Sequence, residues 1–270
     1  METKEFKSFY KEVKGNEGTK CHYPTRLDTY GCGCPFNCNY CYARSLLEFR
    51  KLWNPTNPSE ADIEKIRRKI RRLPEGTPAI RLGGMTDCFQ PKERKTHLTL
   101  ETIKALNEHR QAYLIVTKSN LVSEEPWLAI LDPELAHVQV TITCFDDAKY
   151  RELHYEAAPI PSKRIEAVER LNKAGIDVQV RLSPFIPEFV DYDRLAAIDC
   201  DKLLVEFLRV NSKIEKIFTT VDFTPYTLKQ GGYHHLPLGR EKEAHGQHLW
   251  FQRSHRLRGR KRSLRVLEPP

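Results

Sequence analysis

No stretch of this 270-residue chain approaches the ~18 consecutive apolar residues that a membrane span needs, so no transmembrane helix is expected. The opening Met1-Glu2-Thr3-Lys4-Glu5-Phe6-Lys7 is charged and lacks the apolar core of a secretory signal, which points to the cytoplasm. Thiols are kept reduced there, so cysteines read as metal ligands or catalysts before disulfides. A strong basic field over the folded body is also lacking. The net charge is +8, but residues 239–270 hold nine Lys or Arg against three Glu, which leaves only about +2 for the first 238 residues. A nucleic-acid partner therefore cannot be inferred from charge alone.

What the chain does have is a regular alternation of strand-like and helix-like segments. Strands are expected at Leu27–Gly33, Ala79–Gly83, Ala112–Thr117, Val138–Cys144, Ile176–Ser183 and Lys202–Leu208. Helices are expected at Tyr40–Trp53, Ser59–Leu73, Leu98–Arg110, Ser123–Leu131, Ser162–Ala174 and Tyr192–Ile198, with Ser59 and Ser123 as caps. Such alternation predicts an α/β fold with a parallel sheet and right-handed crossovers. Six units fall short of a closed eight-stranded barrel, so a partial (β/α)6 TIM-like barrel is expected. Residues 25–210 would form it, between an N-terminal extension (1–24) and a C-terminal extension (211–238). Residues 239–270 would be an irregular, basic and disordered tail.

In parallel α/β architectures ligands sit at the C-terminal ends of strands, and the chemically suggestive residues fall there. A cysteine loop follows the first strand and Gly83-Gly84-Met85-Thr86-Asp87 the second. Thr117-Lys118-Ser119 ends the third, Thr143-Cys144 the fourth and Ser183-Pro184 the fifth. Taken singly, Gly83-Gly84 could be a plain turn and Asp87 or Ser119 a helix cap. Their shared position argues for one site.

Of eight cysteines, four lie between positions 32 and 41: Cys32, Cys34, Cys38 and Cys41. Cys34, Cys38 and Cys41 have the spacing C-x3-C-x2-C, which lets three thiolates each ligate one iron of a cubane and leaves a fourth iron open. A competing arrangement uses all four as a zinc knot, although such knots usually draw paired hooks from separated segments. Cys21 and Cys200 have no partner spacing.

C-x3-C-x2-C with Tyr40 before the last cysteine resembles the radical S-adenosylmethionine (SAM) superfamily. Cys38-Asn-Tyr-Cys-Tyr-Ala-Arg44 is similar to its branch containing spore photoproduct lyase and DNA-repair-photolyase-like proteins. Gly-Gly-Met-Thr86-Asp87-Cys-Phe-Gln90-Pro91, Ile115-Val-Thr-Lys118-Ser119, Thr141-Ile-Thr-Cys144, Glu156-Ala-Ala-Pro159 and Arg164 with Gly175-Ile176 follow in that branch's order. The resemblance covers residues 25–210. It implies a [4Fe–4S] cluster on Cys34, Cys38 and Cys41, and SAM chelating the open iron. Reductive cleavage would then give a 5′-deoxyadenosyl radical. It further implies Gly83 and Gly84 near the methionine amino group and Lys118 on its carboxylate. Tyr40, Thr86, Asp87, Ser119, Thr143 and Ser183 would meet the carboxylate, ribose or substrate. The lyase's hydrogen-donor cysteine falls on Met85, so Cys88, three residues later, is the displaced candidate, with Cys144 behind it and Tyr42 as a radical-transfer partner.

The resemblance implies a one-electron donor such as flavodoxin or ferredoxin. A DNA lesion is the substrate it suggests, with modification of a partner protein or small molecule as the alternative. A zinc-stabilised nucleic-acid-binding module without catalysis is the rival from another class. The helix carrying Lys65, Arg67, Arg68, Lys69, Arg71 and Arg72 reads as a solvated face or a phosphate-contacting patch.

Overall fold

The computed structural model describes residues 6–11, 23–153 and 157–237. In chain order these form β1 (Phe9–Lys11), β2 (Thr25–Leu27), β3 (Tyr30–Gly31), α1 (Tyr42–Phe49), β4 (Ser59–Glu60), α2 (Ile63–Ile70) and β5 (Ile80–Leu82). Next come α3 (Glu93–Thr96), α4 (Leu98–Glu108), β6 (Tyr113–Thr117), α5 (Trp127–Ile130), β7 (Ala136–Thr141) and α6 (Pro161–Lys173). The order closes with β8 (Asp177–Phe185), α7 (Tyr192–Ala197), β9 (Leu203–Phe207), α8 (Ser212–Ile217), β10 (Leu228–Gln230) and β11 (Tyr233–His235).

Six strands, β2, β5, β6, β7, β8 and β9, lie side by side in parallel, as expected for a partial barrel. β1 joins the sheet antiparallel to β2, so the N-terminal extension supplies an edge strand. Side chains alternate across a strand, and the alternation here sorts two environments. Leu27, Ile80, Leu82, Ile115, Val138, Val140, Val180, Leu182 and Val205 join helix residues such as Ile66, Ile103, Leu106, Val168 and Leu171 in one buried core. Arg26, Arg81, Gln139, Gln179, Arg181 and Glu206 occupy the alternate positions and form a polar inner wall.

Local chemistry shifts several boundaries. The first expected strand splits because the buried Asp28 turns its carboxylate toward the loop after β5, where Oδ1 accepts the amides of Gly84 (2.7 Å) and Met85 (3.0 Å). Tyr30–Gly31 then pairs with β4 in a separate two-stranded sheet. Ser59 belongs to that sheet, and the cap of α2 is Asp62, whose Oδ1 accepts from Glu64 and Lys65. Such a cap is worth about 1 kcal/mol. Ser123 closes a 3-10 turn, Leu121–Ser123, instead of capping α5. Thr143 and Cys144 lie past the end of β7, whereas Ser183 lies inside β8.

Residues 211–237 pack onto the barrel. Ile214, Phe218, Val221, Tyr226 and Leu236 form a second buried cluster with Ile186, Phe189, Leu208 and Cys144. Val210 pairs with His234, and Lys213 reaches Glu48 on α1 at 2.9 Å. The extension thus covers the C-terminal ends of β8 and β9. The expected disordered tail, 239–270, lies outside the described residues, as does Glu156 of the Glu-Ala-Ala-Pro match. No described helix is long and apolar enough to cross a membrane.

Candidate cofactor site

The cysteine loop folds back on itself because its glycines and turns allow close backbone contacts. At Gly33 a Cβ would stand 1.9 Å from the Asn54 carbonyl oxygen, a position only glycine can take. The amides of Asn37 and Cys41 donate to the carbonyls of Cys34 and Cys38, closing two successive turns. Asn39 straps the loop to the segment ahead of α6, its amide donating to Leu153 O (3.0 Å) and its Nδ2 to Glu152 O (2.6 Å).

These turns bring Cys34, Cys38 and Cys41 together around Phe36, Ala158, Tyr40 and Trp53. Burial pushes the Cys34 thiol well up, aided by the Asp87 carboxylate and the Cys38 thiol, while the Asp87 and Phe36 amides donate to its sulfur and oppose the rise. Burial also lifts Cys38, to about 11; Lys118 and Arg164 hold it lower than burial alone would, and the Tyr40 hydroxyl donates to it. Cys41 caps α1, with the Arg44 amide donating to Sγ at 3.4 Å. At Cys34 and Cys38, neighbouring N–H, O–H and cationic groups thus oppose the rise that burial imposes.

Among the described residues no three His, Cys, Asp or Glu side chains are disposed to hold a metal ion. A cubane takes each thiolate on a different iron, so its ligands stand apart around a volume. Three thiols in one cluster with Phe36, Tyr40 and Trp53, each with a hydrogen-bond donor beside its sulfur, fit such a group. Cys32 has φ 55, and its carbonyl accepts the Asn54 amide at 2.7 Å, so its backbone shapes the loop.

The other expected residues divide into two groups. Lys118, Tyr40 and Thr143 gather at the cysteines: the Lys118 ammonium lies 5.8 Å from the Tyr40 ring centre, and the Thr143 hydroxyl donates to the Tyr40 oxygen. Tyr42, 60 % exposed, donates its hydroxyl to Gly84 O at 2.7 Å and so ties α1 to the glycine loop. Gly83 has φ 79, and a Cβ there would meet Val116 O at 2.5 Å, so the turn needs glycine and keeps the loop free of side chains.

Asp87, Thr86 and Ser119 hold the scaffold. Asp87 Oδ1 accepts from Thr117 Oγ1 (2.6 Å) and the Phe89 amide (2.9 Å), and Oδ2 accepts from the Lys118 amide (2.7 Å). Burial raises its pKa, and these donors oppose the rise. Its carboxylate therefore positions the backbone of Lys118, with both oxygens already engaged. The Thr86 hydroxyl donates to Tyr30 O at 2.6 Å, and the Ser119 hydroxyl accepts the Leu121 amide at 3.2 Å. Ser183 donates to Glu206 Oε2 at 2.6 Å, on the inner wall away from the cysteines.

Cys88 is 1 % exposed and belongs to the buried core cluster, and burial raises its pKa strongly. Its sulfur would lie 3.6 Å from a Cβ on Gly83, so the thiol packs against the glycine loop. Cys144 is buried under the C-terminal extension, with its sulfur bonded to the Asp146 backbone.

Sequence reasoning missed three features. Arg164 is fully buried behind the cysteine loop, its Nε donating to Pro159 O (2.9 Å) and its Nη1 to Thr141 O (3.2 Å). The signal was present, because Arg164 shares a helix face with the buried Ala167, Val168 and Leu171. Asp28 and the arginines of the inner wall were the others. Burial raises Asp28 to about 6, partly offset by the Met85 and Gly84 amides and by Arg81. A carboxyl raised in the folded state binds more protons there than when unfolded, so its ionisation erodes stability as pH rises from about 4 to about 6. Asp28→Asn keeps one carbonyl oxygen for the two amides. Its thermal midpoint is expected to gain on wild type as pH rises through that window; parallel profiles would contradict the buried charge.

Comparison with known proteins completes the picture. The Radical SAM superfamily model matches residues 29–200. An uncharacterised protein of Mycobacterium tuberculosis is 26 % identical over 168 residues, covering 59 % of this chain and 49 % of the relative. One from Methanocaldococcus jannaschii is 26 % identical over 166 residues, covering 60 % of each. The chain thus matches about half the length of the mycobacterial relative. Among solved structures, spore photoproduct lyase complexed with dinucleoside spore photoproduct has a TM-score of 0.65 at 15 % identity, covering 87 % of this chain and 75 % of that one. Streptococcus suis SuiB bound to S-adenosylmethionine has a TM-score of 0.57 at 13 % identity, covering 92 % and 51 %. These likenesses establish the fold, and the family match establishes the lineage. The chain belongs to the radical SAM superfamily, whose members work with a [4Fe–4S] cluster and S-adenosylmethionine.

Proposed function

We propose that this chain is a radical SAM enzyme whose cluster is held by Cys34, Cys38 and Cys41. The observation that carries the reading is the meeting of these thiols in one residue cluster, with Tyr40 and Lys118 beside them. When bound, the cluster and SAM supply one-electron cleavage of the sulfonium to methionine and a 5′-deoxyadenosyl radical. The protein's task is then to place and to shield. Lys118 offers its ammonium to the methionine carboxylate, and Asp87 fixes the Lys118 backbone through its 2.7 Å bond to that amide. The glycine loop lets the cofactor's amino end approach the backbone, while Asp28 and Tyr42 hold its shape. Phe36, Trp53 and the extension around α8 exclude water.

A small one-electron carrier such as flavodoxin or ferredoxin is the reductant this reading calls for. The likeness to a lyase bound to a dinucleoside lesion supports damaged DNA as substrate. The test is the electron paramagnetic resonance spectrum of the anaerobically reconstituted, reduced protein. Adding SAM should shift its g-values, because an open iron accepts the new ligand. An unchanged spectrum would reject the reading.

A further inference from the structure

The inner wall opposite the apolar core holds more positive than negative charge, and part of it has no partner. Arg26 on β2 and Arg81 on β5 are paired in register on adjacent parallel strands. Their Nε atoms are buried and without a hydrogen-bond partner, and neither guanidinium forms an ion pair within the described residues. Arg181 on β8 faces them and is already satisfied, its Nη1 donating to Gln139 Oε1 (2.6 Å) and its Nη2 to Glu206. Glu206 also accepts from Ser183 and lies within electrostatic reach of Arg81, as Asp28 does.

The place of this cluster matters as much as its charge. The Arg26 Cδ would lie 3.2 Å from a Cβ on Gly84, so its stem runs along the glycine loop. Tyr42, next in sequence to Cys41, feels both free guanidinium groups and bonds the Gly84 carbonyl. The two arginines, without hydrogen-bond acceptors among the described residues, therefore line the inner wall beside the glycine loop. Half-buried guanidinium groups without acceptors are costly to hold, and two together favour a ligand with several oxygens and negative charge.

We propose that Arg26 and Arg81 form an oxyanion subsite on the inner wall that takes a phosphate group of the substrate, with Arg181, Glu206 and Ser183 as its fixed border. Two free cations match a phosphate better than a singly charged carboxylate. The planar guanidinium forks suit its oxygens. The proposal rests on the radical SAM reading only in naming the ligand a substrate.

The test titrates the full-length, reconstituted protein with inorganic phosphate at ionic strength held constant with sodium chloride, following the thermal midpoint. The midpoint should rise saturably with phosphate and less with acetate. The apparent affinity should fall at least about tenfold in Arg26→Gln and in Arg81→Gln. Arg170→Gln, on the exposed face of α6, should behave as wild type. Circular dichroism checks that the variants are folded; if a glutamine variant is not, Arg26→Lys and Arg81→Lys replace it, keeping the charge and losing the fork. No saturation, or equal saturation in wild type and both arginine variants, would overturn the subsite. Competition between phosphate and SAM would also overturn it, by assigning the arginines to the cofactor's carboxylate. If SAM leaves the paramagnetic spectrum unchanged while phosphate still saturates through Arg26 and Arg81, the cofactor reading fails and the anion subsite stands.

Discussion

Cys38→Ala is expected to abolish the brown colour of the reconstituted protein. Cys38 is the most centrally connected of the three thiols, receiving the Tyr40 hydroxyl and lying within reach of Lys118, Cys41 and Arg164. A cubane held by three thiolates has no protein ligand in reserve, so losing one should remove most of the iron and the visible absorbance. Cys34→Ala and Cys41→Ala should do the same. Cys32→Ala should keep the colour, because its contribution lies in the backbone: the carbonyl that accepts the Asn54 amide and the φ of 55. If instead Cys32→Ala bleached the protein and Cys34→Ala did not, the ligand assignment would be wrong.

The second large effect is on stability and comes from Glu93. This fully buried carboxylate accepts from four donors: the Tyr30 hydroxyl (2.5 Å), the amides of Thr99 (2.8 Å) and Leu100 (2.9 Å), and Trp127 Nε1 (2.8 Å). It therefore caps α4 and joins β3, α4 and α5 at one point. Glu93→Leu would leave the Thr99 and Leu100 amides and Trp127 Nε1 buried and unpaired, with the Tyr30 hydroxyl keeping only Thr96 Oγ1 (2.5 Å). Removing one partner of such a buried charged network costs roughly 3–5 kcal/mol, a large share of the roughly 5–15 kcal/mol that holds a domain. A fall in thermal midpoint of about 10 °C or more is expected by calorimetry or circular dichroism. Glu93→Gln keeps one oxygen and should lose less. An unchanged midpoint for Glu93→Leu would mean that water replaces the carboxylate.

The sequence spoke clearly where chemistry repeats along the chain. Runs such as Tyr113-Leu-Ile-Val-Thr117 and Asp177-Val-Gln-Val-Arg-Leu182 were legible as strands, and the helices between them followed from their apolar spacing. The cysteine loop was legible because thiols at that spacing have few other uses. What stayed hidden depended on partners distant in sequence. Nothing near Asp28 announces that its carboxylate binds amides 56 and 57 residues away, which is what breaks the first strand. Ser59 and Asp62 are both good caps, and pairing of Ser59 with Gly31 decided between them. The burial of Cys88 in the core cluster also stayed hidden, because spacing does not encode which way a side chain turns. The inner-wall arginines were readable in hindsight. Arg26, Arg81 and Arg181 interrupt apolar strands at single positions, and period-2 alternation puts such interruptions on the opposite face.

The α2 patch also reads differently with partners in view. Arg67 is bonded to Glu64 and to Glu101 of α4, each at 2.7 Å, so part of that basic run joins helices.

The account stands most directly on the yield of 5′-deoxyadenosine when anaerobically reconstituted protein is reduced with dithionite in the presence of SAM. We predict that wild type releases 5′-deoxyadenosine and methionine in equal amounts and that Cys38→Ala releases neither. A wild-type protein that carries its full complement of iron and sulfide yet forms no 5′-deoxyadenosine would contradict it.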